Sequence, residues 1–235
     1  MSTVAIITAR GGSKRIPRKN IRAFAGHPMI AYPIEAAIRS GLFDRVMVST
    51  EDAEIAAVAR TCGAEVPFIR PAELADDHTG TVPVLRHAIG WLRANGEPVE
   101  YVCCIYPTAP FLTADALRHG FAAVQEPGCR FAFSVARYGY PIQRALRRTG
   151  ATGVEPFFPE SIPCRSQDLE PAYHDAGQFY WGTAEAFMDG SQVFGATSTP
   201  IVLPSHRVQD IDDEDDWRRA EYLYRALHLA GEDGA

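Results

Sequence analysis

Short apolar runs alternate along the first half of the chain with amphipathic segments of helical period. The apolar runs predict strands over residues 4–7, 45–49, 65–69, 101–106 and 131–136. Helices are predicted between them, over residues 28–40, 52–62, 82–94 and 114–125. Strands that alternate with helices favour an α/β fold, in which helices cover both faces of a mostly parallel sheet and ligands bind beyond the carboxyl ends of the strands.

The alternation stops between residues 137 and 173, where aromatic residues, prolines and arginines follow neither a helical nor a strand period. We interpret this segment as an inserted arm or hairpin used in dimerisation. Two further strands are predicted over residues 178–181 and 200–203, and a closing amphipathic helix over residues 214–229. The length of 235 residues suits a single domain, residues 1–235, that carries the arm at 137–173.

Composition and charge narrow the function classes. The 46% hydrophobic content is enough for a substantial core, and the net charge of −6 argues against general nucleic-acid binding, which needs a broad basic face. No apolar run reaches the length of a membrane span and no leader is evident, so we expect a cytoplasmic protein without a membrane partner. Five cysteines without a CxxC pair predict reduced, mostly buried thiols rather than a zinc site.

A basic segment with two adjacent glycines follows the first predicted strand: residues 8–20 read TARGGSKRIPRKN. Its five cations are Arg10, Lys14, Arg15, Arg18 and Lys19. A loop at this place directs its backbone N–H groups at the ligand crevice, and glycine lets the backbone approach a polyphosphate closely. The spacing is neither that of a Walker A loop nor that of a dinucleotide-binding turn. We therefore predict a phosphate-binding loop, with a solvated basic loop as the alternative.

Residues 9–14, together with Lys19 and Asn20, resemble the N-terminal signature of the cytidylyltransferases that activate nonulosonic acids, the CMP-sialic acid synthetase family. Further strings similar to the family's follow in order along nearly the whole chain: FDRV at 43–46, VST at 48–50, RPAELA at 70–75, PTAP at 107–110, RSQDL at 165–169 and DID at 210–212. All of them in sequence are hard to produce by chance. The resemblance implies a three-layer, Rossmann-like nucleotidyltransferase fold with a small inserted dimerisation element.

The reaction implied by the resemblance joins CTP to a nine-carbon α-keto acid sugar: the anomeric hydroxyl attacks the α-phosphorus and pyrophosphate leaves. Such chemistry rests on positioning and charge neutralisation and requires no covalent nucleophile. The resemblance implies a homodimer in which the arm reaches the partner's site. The catalytic residues implied are Arg10, Lys14, Lys19 and Asp212. The nucleotide site implied consists of Ala9, Arg10, Gly11, Gly12, Ser13, Lys14, Asn20, Arg70 and Thr81.

Two carboxylates, Asp210 and Asp212, stand two residues apart near the end of the chain. In an extended segment both point to one side, so they can share a hard cation that is also bridged to phosphate oxygens. The family's Asp-x-Asp falls on this pair, and Mg²⁺ is the predicted cofactor. The acidic residues 213–216 that follow suit the start of a helix on dipole grounds, and we assign them mostly to that structural role.

The finer likeness within the family is to the members that activate pseudaminic acid. It is carried by DDHTGT at 76–81, CIYPTAPF at 104–111 and YHDAGQFYWG at 173–182. Where the sialic-acid enzymes carry Gln before Pro-Thr, this chain has Tyr106, and residues 175–178 stand where Asn-Gly-Ala is expected. The sugar-binding residues implied are Tyr106, Arg165, Gln167, Asp175, Gln178 and Tyr180.

Three alternatives stay open at this point. The sugar could be sialic acid, legionaminic acid or the eight-carbon sugar of lipopolysaccharide cores. The chain could be a non-catalytic sensor of cytidine nucleotides that kept the fold and lost turnover. A sugar-transferring enzyme of similar sheet topology is the third, but its Asp-x-Asp follows a central strand, whereas the pair in this chain precedes the last helix.

Overall fold

The computed structural model describes residues 2–76 and 78–231. Within these residues the strands are β1 (Thr3–Thr8), β2 (Ala23–Phe24), β3 (His27–Pro28), β4 (Arg45–Ser49), β5 (Tyr101–Ile105), β6 (Phe131–Arg137), β7 (Leu146–Arg148), β8 (Val154–Pro156), β9 (Tyr173–Thr183) and β10 (Ser198–Leu203). The α-helices are α1 (Ala31–Ser40), α2 (Ala53–Thr61), α3 (Thr81–Ala94), α4 (Ala114–Val124), α5 (Ala184–Asp189) and α6 (Glu214–Leu229). None of these helices is long and apolar enough to cross a membrane.

The main sheet has the strand order β10-β6-β9-β5-β1-β4. Strand β9 runs antiparallel to both of its neighbours, and the other pairs are parallel. Ile7 of β1 is in register with Val48 of β4 and with Ile105 of β5. The carboxyl ends of these three strands therefore meet at one edge of the sheet.

Helices cover both faces of the sheet, because alternate residues of a strand point to opposite sides. On one face Ala5 and Ile7 of β1 share a core with residues of α1, α2 and α4. On the other face Val4 and Ile6 share a core with residues of α3 and α5. A third core packs α6 against the segment that follows β1. The prediction of a three-layer α/β fold with a mostly parallel sheet is confirmed.

Several predicted elements have different bounds in the structure. The strand predicted over residues 65–69 is reduced to a single bridge between Met47 and Glu65, because Pro67 has no N–H to donate to a ladder. The helix predicted from residue 28 begins at Ala31, since residues 27–28 pair with β2 in a short hairpin. The strand predicted over 178–181 is longer, because β9 begins at Tyr173.

The arm, residues 137–173, contains a hairpin formed by β7 and β8 together with short 3₁₀ turns. Within it, none of residues 138–172 is buried in the single chain. The structure thus places a small two-stranded element where the sequence pattern breaks. Its use in dimerisation stays a prediction.

The cysteines are all free of disulfides, but the prediction that most are buried is wrong. Only Cys103 and Cys104 are buried, while Cys164 is exposed. Cys164 lies in the arm, which packs on no core. Burial raises the pKa of Cys104 to about 12, so this thiol is a core side chain rather than a nucleophile.

Candidate active site

A cavity of about 550 Å³ opens beyond the carboxyl ends of β1 and β5. Most residues of the predicted nucleotide site border it. The lining consists of Thr8, Arg10, Ser13, Lys14, Arg15, Lys19, Asn20, Arg70, Leu74, Asp76, Thr79, Gly80, Thr81, Val84, Tyr106, Pro107, Thr108 and Asp212.

The phosphate loop, residues 9–20, is held in shape by partly buried hydrogen bonds. The N–H of Gly11 donates to Oε1 of Glu51 at 2.6 Å, which ties the start of the loop to the end of β4. Nδ2 of Asn20 donates to the carbonyl of Arg10 at 2.8 Å, so the two ends of the loop are joined. Asn20 is buried. Its amide therefore stabilises the loop, whether or not it also contacts a ligand.

The two glycines of the loop stand in different surroundings. A Cβ on Gly11 would lie 2.6 Å from Oδ2 of Asp52, whereas nothing lies within 4 Å of a Cβ on Gly12. Gly11 is therefore required by the close approach of a carboxylate. Gly12 leaves open space in front of the backbone, as a loop that receives a ligand needs.

Four of the five cations of the loop line the cavity: Arg10, Lys14, Arg15 and Lys19. Nη1 of Arg10 donates to the carbonyl of Asp76 at 3.1 Å. Nζ of Lys19 donates to the carbonyl of Ile211 at 2.6 Å and lies 3.9 Å from Oδ1 of Asp212. Burial lowers the pKa of Lys19. The loop thereby concentrates positive charge around a concave space, which is the environment that a polyphosphate requires.

Arg70 is a buried cation beneath the loop. Its Nε donates to Oγ of Ser49 at 3.1 Å, and its Nη2 donates to the carbonyl of the same serine. Its Nη1 lies 4.0 Å from Oε2 of Glu51. Burial lowers the pKa of Arg70, but a guanidinium stays charged at any physiological pH. This side chain therefore supplies a fixed positive charge to the floor of the cavity.

Asp210 and Asp212 flank the buried Ile211, so both carboxylates face away from the core, as their spacing predicts. Asp212 lines the cavity and pairs with Nη2 of Arg15 at 2.7 Å. Burial and the charge of Asp212 raise the pKa of Asp210. Among residues 2–76 and 78–231 no group of three or more His, Cys, Asp or Glu is placed to hold a metal ion. Magnesium commonly takes one or two carboxylates together with substrate phosphates, so the pair fits this ion alongside a bound nucleotide.

The acidic residues after this pair have the structural role predicted for them. The carboxylate of Asp213 accepts hydrogen bonds from the N–H groups of Asp215 and Asp216, and the carboxylate of Asp216 accepts from the N–H of Asp213. This is a capping box at the start of α6. Glu214 pairs with Arg22 at 2.5 Å.

A second cavity of about 230 Å³ adjoins the first and shares Tyr106 and Thr108 with it. The rings of Tyr106 and Tyr180 are 5.3 Å apart, and the Tyr180 hydroxyl donates to the carboxylate of Asp175. The hydroxyl of Tyr106 lies 3.3 Å from Oγ1 of Thr81. The lining consists of Tyr106, Thr108, Ala109, Pro110, Phe111, Asp175, Ala176, Gly177, Gln178, Tyr180, Gln209 and Asp210.

Gln178 borders the second cavity and carries a buried acceptor without a partner in the described part of the chain. The residue is 3% exposed, and its Nε2 donates to the carbonyl of Arg207 at 2.6 Å, which determines which end of the amide is the oxygen. Oε1 is buried and has no hydrogen-bond partner among the described residues. A buried acceptor without a partner is costly.

Comparison with known proteins agrees with this geometry. The family model for "Cytidylyltransferase" matches residues 4–203. The chain belongs to this cytidylyltransferase family. It is 42% identical over 228 residues to the pseudaminic acid cytidylyltransferase of Campylobacter jejuni. The match covers 97% of this chain and 98% of that protein. It is 31% identical over 230 residues to the CMP-N,N'-diacetyllegionaminic acid synthase of Legionella pneumophila, over 95% of this chain and 96% of that protein.

A solved structure shares the fold of the cytidylyltransferase. It is that of CMP:2-keto-3-deoxy-manno-octonic acid synthetase in complex with CTP. The match has a TM-score of 0.70 and 15% identity, and covers 96% of this chain and 99% of that one. The chain is a nucleotidyltransferase by family, and it shares the fold of this synthetase.

Two residues predicted for the sugar site of the cytidylyltransferase lie elsewhere in the single chain. Neither Arg165 nor Gln167 borders either cavity. Nε of Arg165 pairs with Oδ2 of Asp168 at 2.8 Å, and Gln167 lines a groove between the arm and the end of β10. Their role in binding sugar stays a prediction that needs a partner chain.

Sequence reasoning missed four residues that shape the site. Arg15 holds Asp212, Glu51 receives the phosphate loop, and Thr108 stands between the two cavities. The carbonyl of Asp76 receives Arg10. Thr108 belongs to the PTAP string and Arg15 to the basic segment, so both carried a signal. Glu51 carried none, because its role depends on how β4 lies beside β1.

Proposed function

We propose that this cytidylyltransferase transfers CMP from CTP to pseudaminic acid, giving CMP-pseudaminic acid and pyrophosphate. The observation that carries the proposal is the pair of adjoining cavities. One is lined by cations of the phosphate loop, and the other by two tyrosines together with Asp175 and Gln178. The choice of sugar is supported by the relatives, since identity to the pseudaminic acid enzyme is 42% and to the legionaminic acid enzyme 31%.

In this proposal the triphosphate occupies the larger cavity. Arg10, Ser13 and Lys14 cradle it, Lys19 adds charge, and Arg70 and Thr81 lie towards the cytosine and ribose. The anomeric hydroxyl of the sugar approaches the α-phosphorus from the second cavity. A bond forms between that oxygen and phosphorus while the bond to pyrophosphate breaks. The cations neutralise the charge that develops on the leaving oxygens, which is the main contribution of a protein to this chemistry.

Asp210 and Asp212 would hold Mg²⁺ at the boundary between the cavities, since one carboxylate lines each of them. When bound, the ion supplies charge neutralisation at the phosphate oxygens. Arg15 and Lys19 hold the carboxylate of Asp212 in place at 2.7 and 3.9 Å. The chain's own residues therefore prepare the ligand geometry before the nucleotide arrives.

The second cavity suits the chemistry by which pseudaminic acid differs from sialic acid. Pseudaminic acid ends in a methyl group and carries a second acylamino group at carbon seven, whereas sialic acid carries a glycerol tail with three hydroxyls. The wall formed by Tyr106 and Tyr180 suits a methyl group. Asp175 or Gln178, which line the same cavity, would accept or share the added amide N–H. A polar group left unpaired by the wrong sugar discriminates more strongly than apolar fit alone.

We further propose that the enzyme is a homodimer in which the arm covers the partner's site. The support is the apolar surface of the arm: Tyr140, Leu146, Val154 and Phe157 are all more than half exposed in the single chain. A partner copy would cover them. Arg165 and Gln167 would then reach the sugar of the other chain.

The sugar is tested with purified protein, CTP, Mg²⁺ and a panel of nonulosonic acids, with pyrophosphate release as the readout. We expect the highest kcat/KM with pseudaminic acid. Preference for sialic or legionaminic acid, or equal use of all, would contradict the specificity and leave the cytidylyl transfer intact. Binding of CTP without turnover on any sugar would favour the nucleotide sensor.

The metal pair is tested with Asp210→Asn and Asp212→Asn. We expect each to lose Mg²⁺-dependent turnover while the melting temperature of the ligand-free protein stays close to that of the wild type. Asp213→Asn is the matched control, because Asn caps a helix as well as Asp does. If Asp213→Asn were as damaging as the other two, the pair would be part of the helix cap and not a metal site.

A further inference from the structure

The nucleotide site proposed above leaves one cation of the phosphate loop without a role. Arg18 does not border the nucleotide cavity. Its guanidinium instead makes two parallel hydrogen bonds to Asp52, from Nη1 to Oδ2 at 2.5 Å and from Nη2 to Oδ1 at 3.0 Å. It also contacts Glu54. A two-pronged pair of this kind restrains geometry as well as charge.

Asp52 connects that pair to the front of the loop. Its Oδ1 accepts hydrogen bonds at 2.9 Å from the N–H groups of Glu54 and Ile55, so it caps α2. Its Oδ2 lies against Gly11, at 2.6 Å from where a Cβ would stand. One carboxylate therefore touches the start of the loop through Gly11 and the far end through Arg18.

Without Arg18, the negative charges behind the loop would repel a bound polyanion. The carboxylates of Glu51 and Asp52 both lie beside Gly11, and Gly11 belongs to the loop that is to receive a triphosphate. Nη1 of Arg70 lies 4.0 Å from the carboxylate of Glu51, and Arg18 neutralises the carboxylate of Asp52. The hydrogen bonds from Arg18 are the main cause that lowers the pKa of Asp52 to about 2.

The backbone at Arg18 supports a specific reason for arginine there. Its φ is +57°, in the left-handed region that favours glycine. The turn that it forms leads directly to Lys19, which reaches the carbonyl of Ile211, and to Asn20, which closes the loop. Arg18 thus occupies an unfavourable backbone conformation while its side chain pairs with Asp52.

We propose that Arg18 and Asp52 are positioning residues for CTP. Their ion pair clasps the far end of the phosphate loop to the start of α2 and neutralises the carboxylate behind Gly11. The loop then presents its N–H groups and its front cations to the triphosphate in a preset shape. The inference rests on the proposed nucleotide site. It deepens that proposal, because it assigns a role in CTP binding to two residues that do not line the cavity.

The test uses Arg18→Gly, Asp52→Asn and the double variant in the full chain. Glycine suits the left-handed backbone and asparagine keeps the helix cap, so both variants are designed to fold. We expect each single variant to raise the calorimetric Kd and the KM for CTP about tenfold. At saturating CTP, kcat and the KM for the sugar should change by about twofold or less. The double variant should bind CTP no more weakly than the single variant that binds it less tightly, because the two residues act as a unit.

Arg93→Ala is the control, since it removes another ion pair, with Glu185 at 2.6 Å, between α3 and α5. It should bind CTP as the wild type does. Unchanged CTP binding in both single variants would overturn the proposal, as would losses that add in the double variant. Weak binding in Arg18→Gly with normal binding in Asp52→Asn would show that the clasp is not needed for CTP binding and would also overturn it. Lack of turnover on every sugar contradicts the proposed function, yet leaves this comparison of CTP binding intact.

Discussion

The phosphate loop and the arm are similar as sequences, since both are rich in arginine, contain proline and glycine, and follow no regular period. In the structure they differ in what holds them. Ile16 and Asn20 of the loop are buried, whereas none of residues 138–172 of the arm is. The ion pair of the arm hairpin, Arg147 with Glu155, joins neighbouring strands of one exposed element.

This difference shows that order in an irregular segment comes from distant anchors rather than from composition. The Gly11 N–H reaches a side chain 40 positions away, and Lys19 reaches a carbonyl 192 positions away. Such contacts prepare the loop before a ligand binds, which reduces the ordering cost of binding. Two side-chain hydrogen bonds of the arm instead stay within it, from Gln143 to the carbonyl of Glu170 and from Arg144 to the carbonyl of Cys164.

The largest expected effect concerns the front of the anchored loop. Arg10→Ala and Lys14→Ala should each lower kcat/KM by about two orders of magnitude or more, since a preorganised charge at a developing phosphate anion contributes about 3 kcal/mol. Steady-state kinetics, measured once with CTP in excess and once with CTP limiting, give kcat/KM for each variant. Arg118→Ala, which removes the exposed pair with Asp115 on α4, is the control. Rates near wild type in both loop variants would remove the phosphate-loop assignment.

The next effect separates the anchor from the ligand surface within the loop. Gly11→Ala should lower the free energy of unfolding by about 2 kcal/mol, because the new methyl group collides with Asp52. Gly12→Ala should leave that free energy nearly unchanged, since its Cβ meets nothing, and should weaken CTP binding. Urea unfolding and calorimetry on both variants measure the two quantities. Equal stability of the two variants would mean that the loop is not anchored at Gly11.

A smaller effect on stability is expected in the arm. Leu146→Asp adds a charge to an exposed apolar position and should convert the dimer to a monomer in sedimentation. The free energy of unfolding of that monomer should change by about 0.5 kcal/mol or less, because the side chain is more than half exposed in the single chain. Tyr222→Asp changes an equally exposed aromatic on α6 and serves as the control. A wild type that sediments as a monomer would contradict the dimer directly.

The smallest expected effect is a pH dependence of the anchor. The pair with Arg18 lowers the pKa of Asp52 from 3.8 to about 2. Its contribution to stability is therefore complete above pH 3.8 and is lost as the pH falls towards 2. The stability difference between wild type and Asp52→Asn, from urea unfolding, should be constant from about pH 7 to about pH 5 and shrink below about pH 4. A difference that grows in acid would contradict the pairing.

Local chemistry made much of this protein predictable from its sequence. The period of the apolar residues determined the strands of the sheet and the helix Glu214–Leu229, which has the predicted bounds. Glycines and cations after the first strand indicated the phosphate loop, and acidic residues at 213–216 indicated the start of α6. These features depend on neighbours within a few residues, so they can be recognised without knowing the fold.

Only the tertiary structure decided what stands beside what. The antiparallel course of β9 places Asp175 and Gln178 next to Tyr106, and residues 210–212 meet the phosphate loop from the other end of the chain. The pairing of Arg18 with Asp52 depends likewise on β4 lying beside β1. Strand order and register are long-range properties that no local period encodes, because many partners are chemically acceptable to an isolated arginine, carboxylate or amide. The sequence by itself therefore determined the elements and the kinds of chemistry, and the packing of the sheet decided which residues share a site.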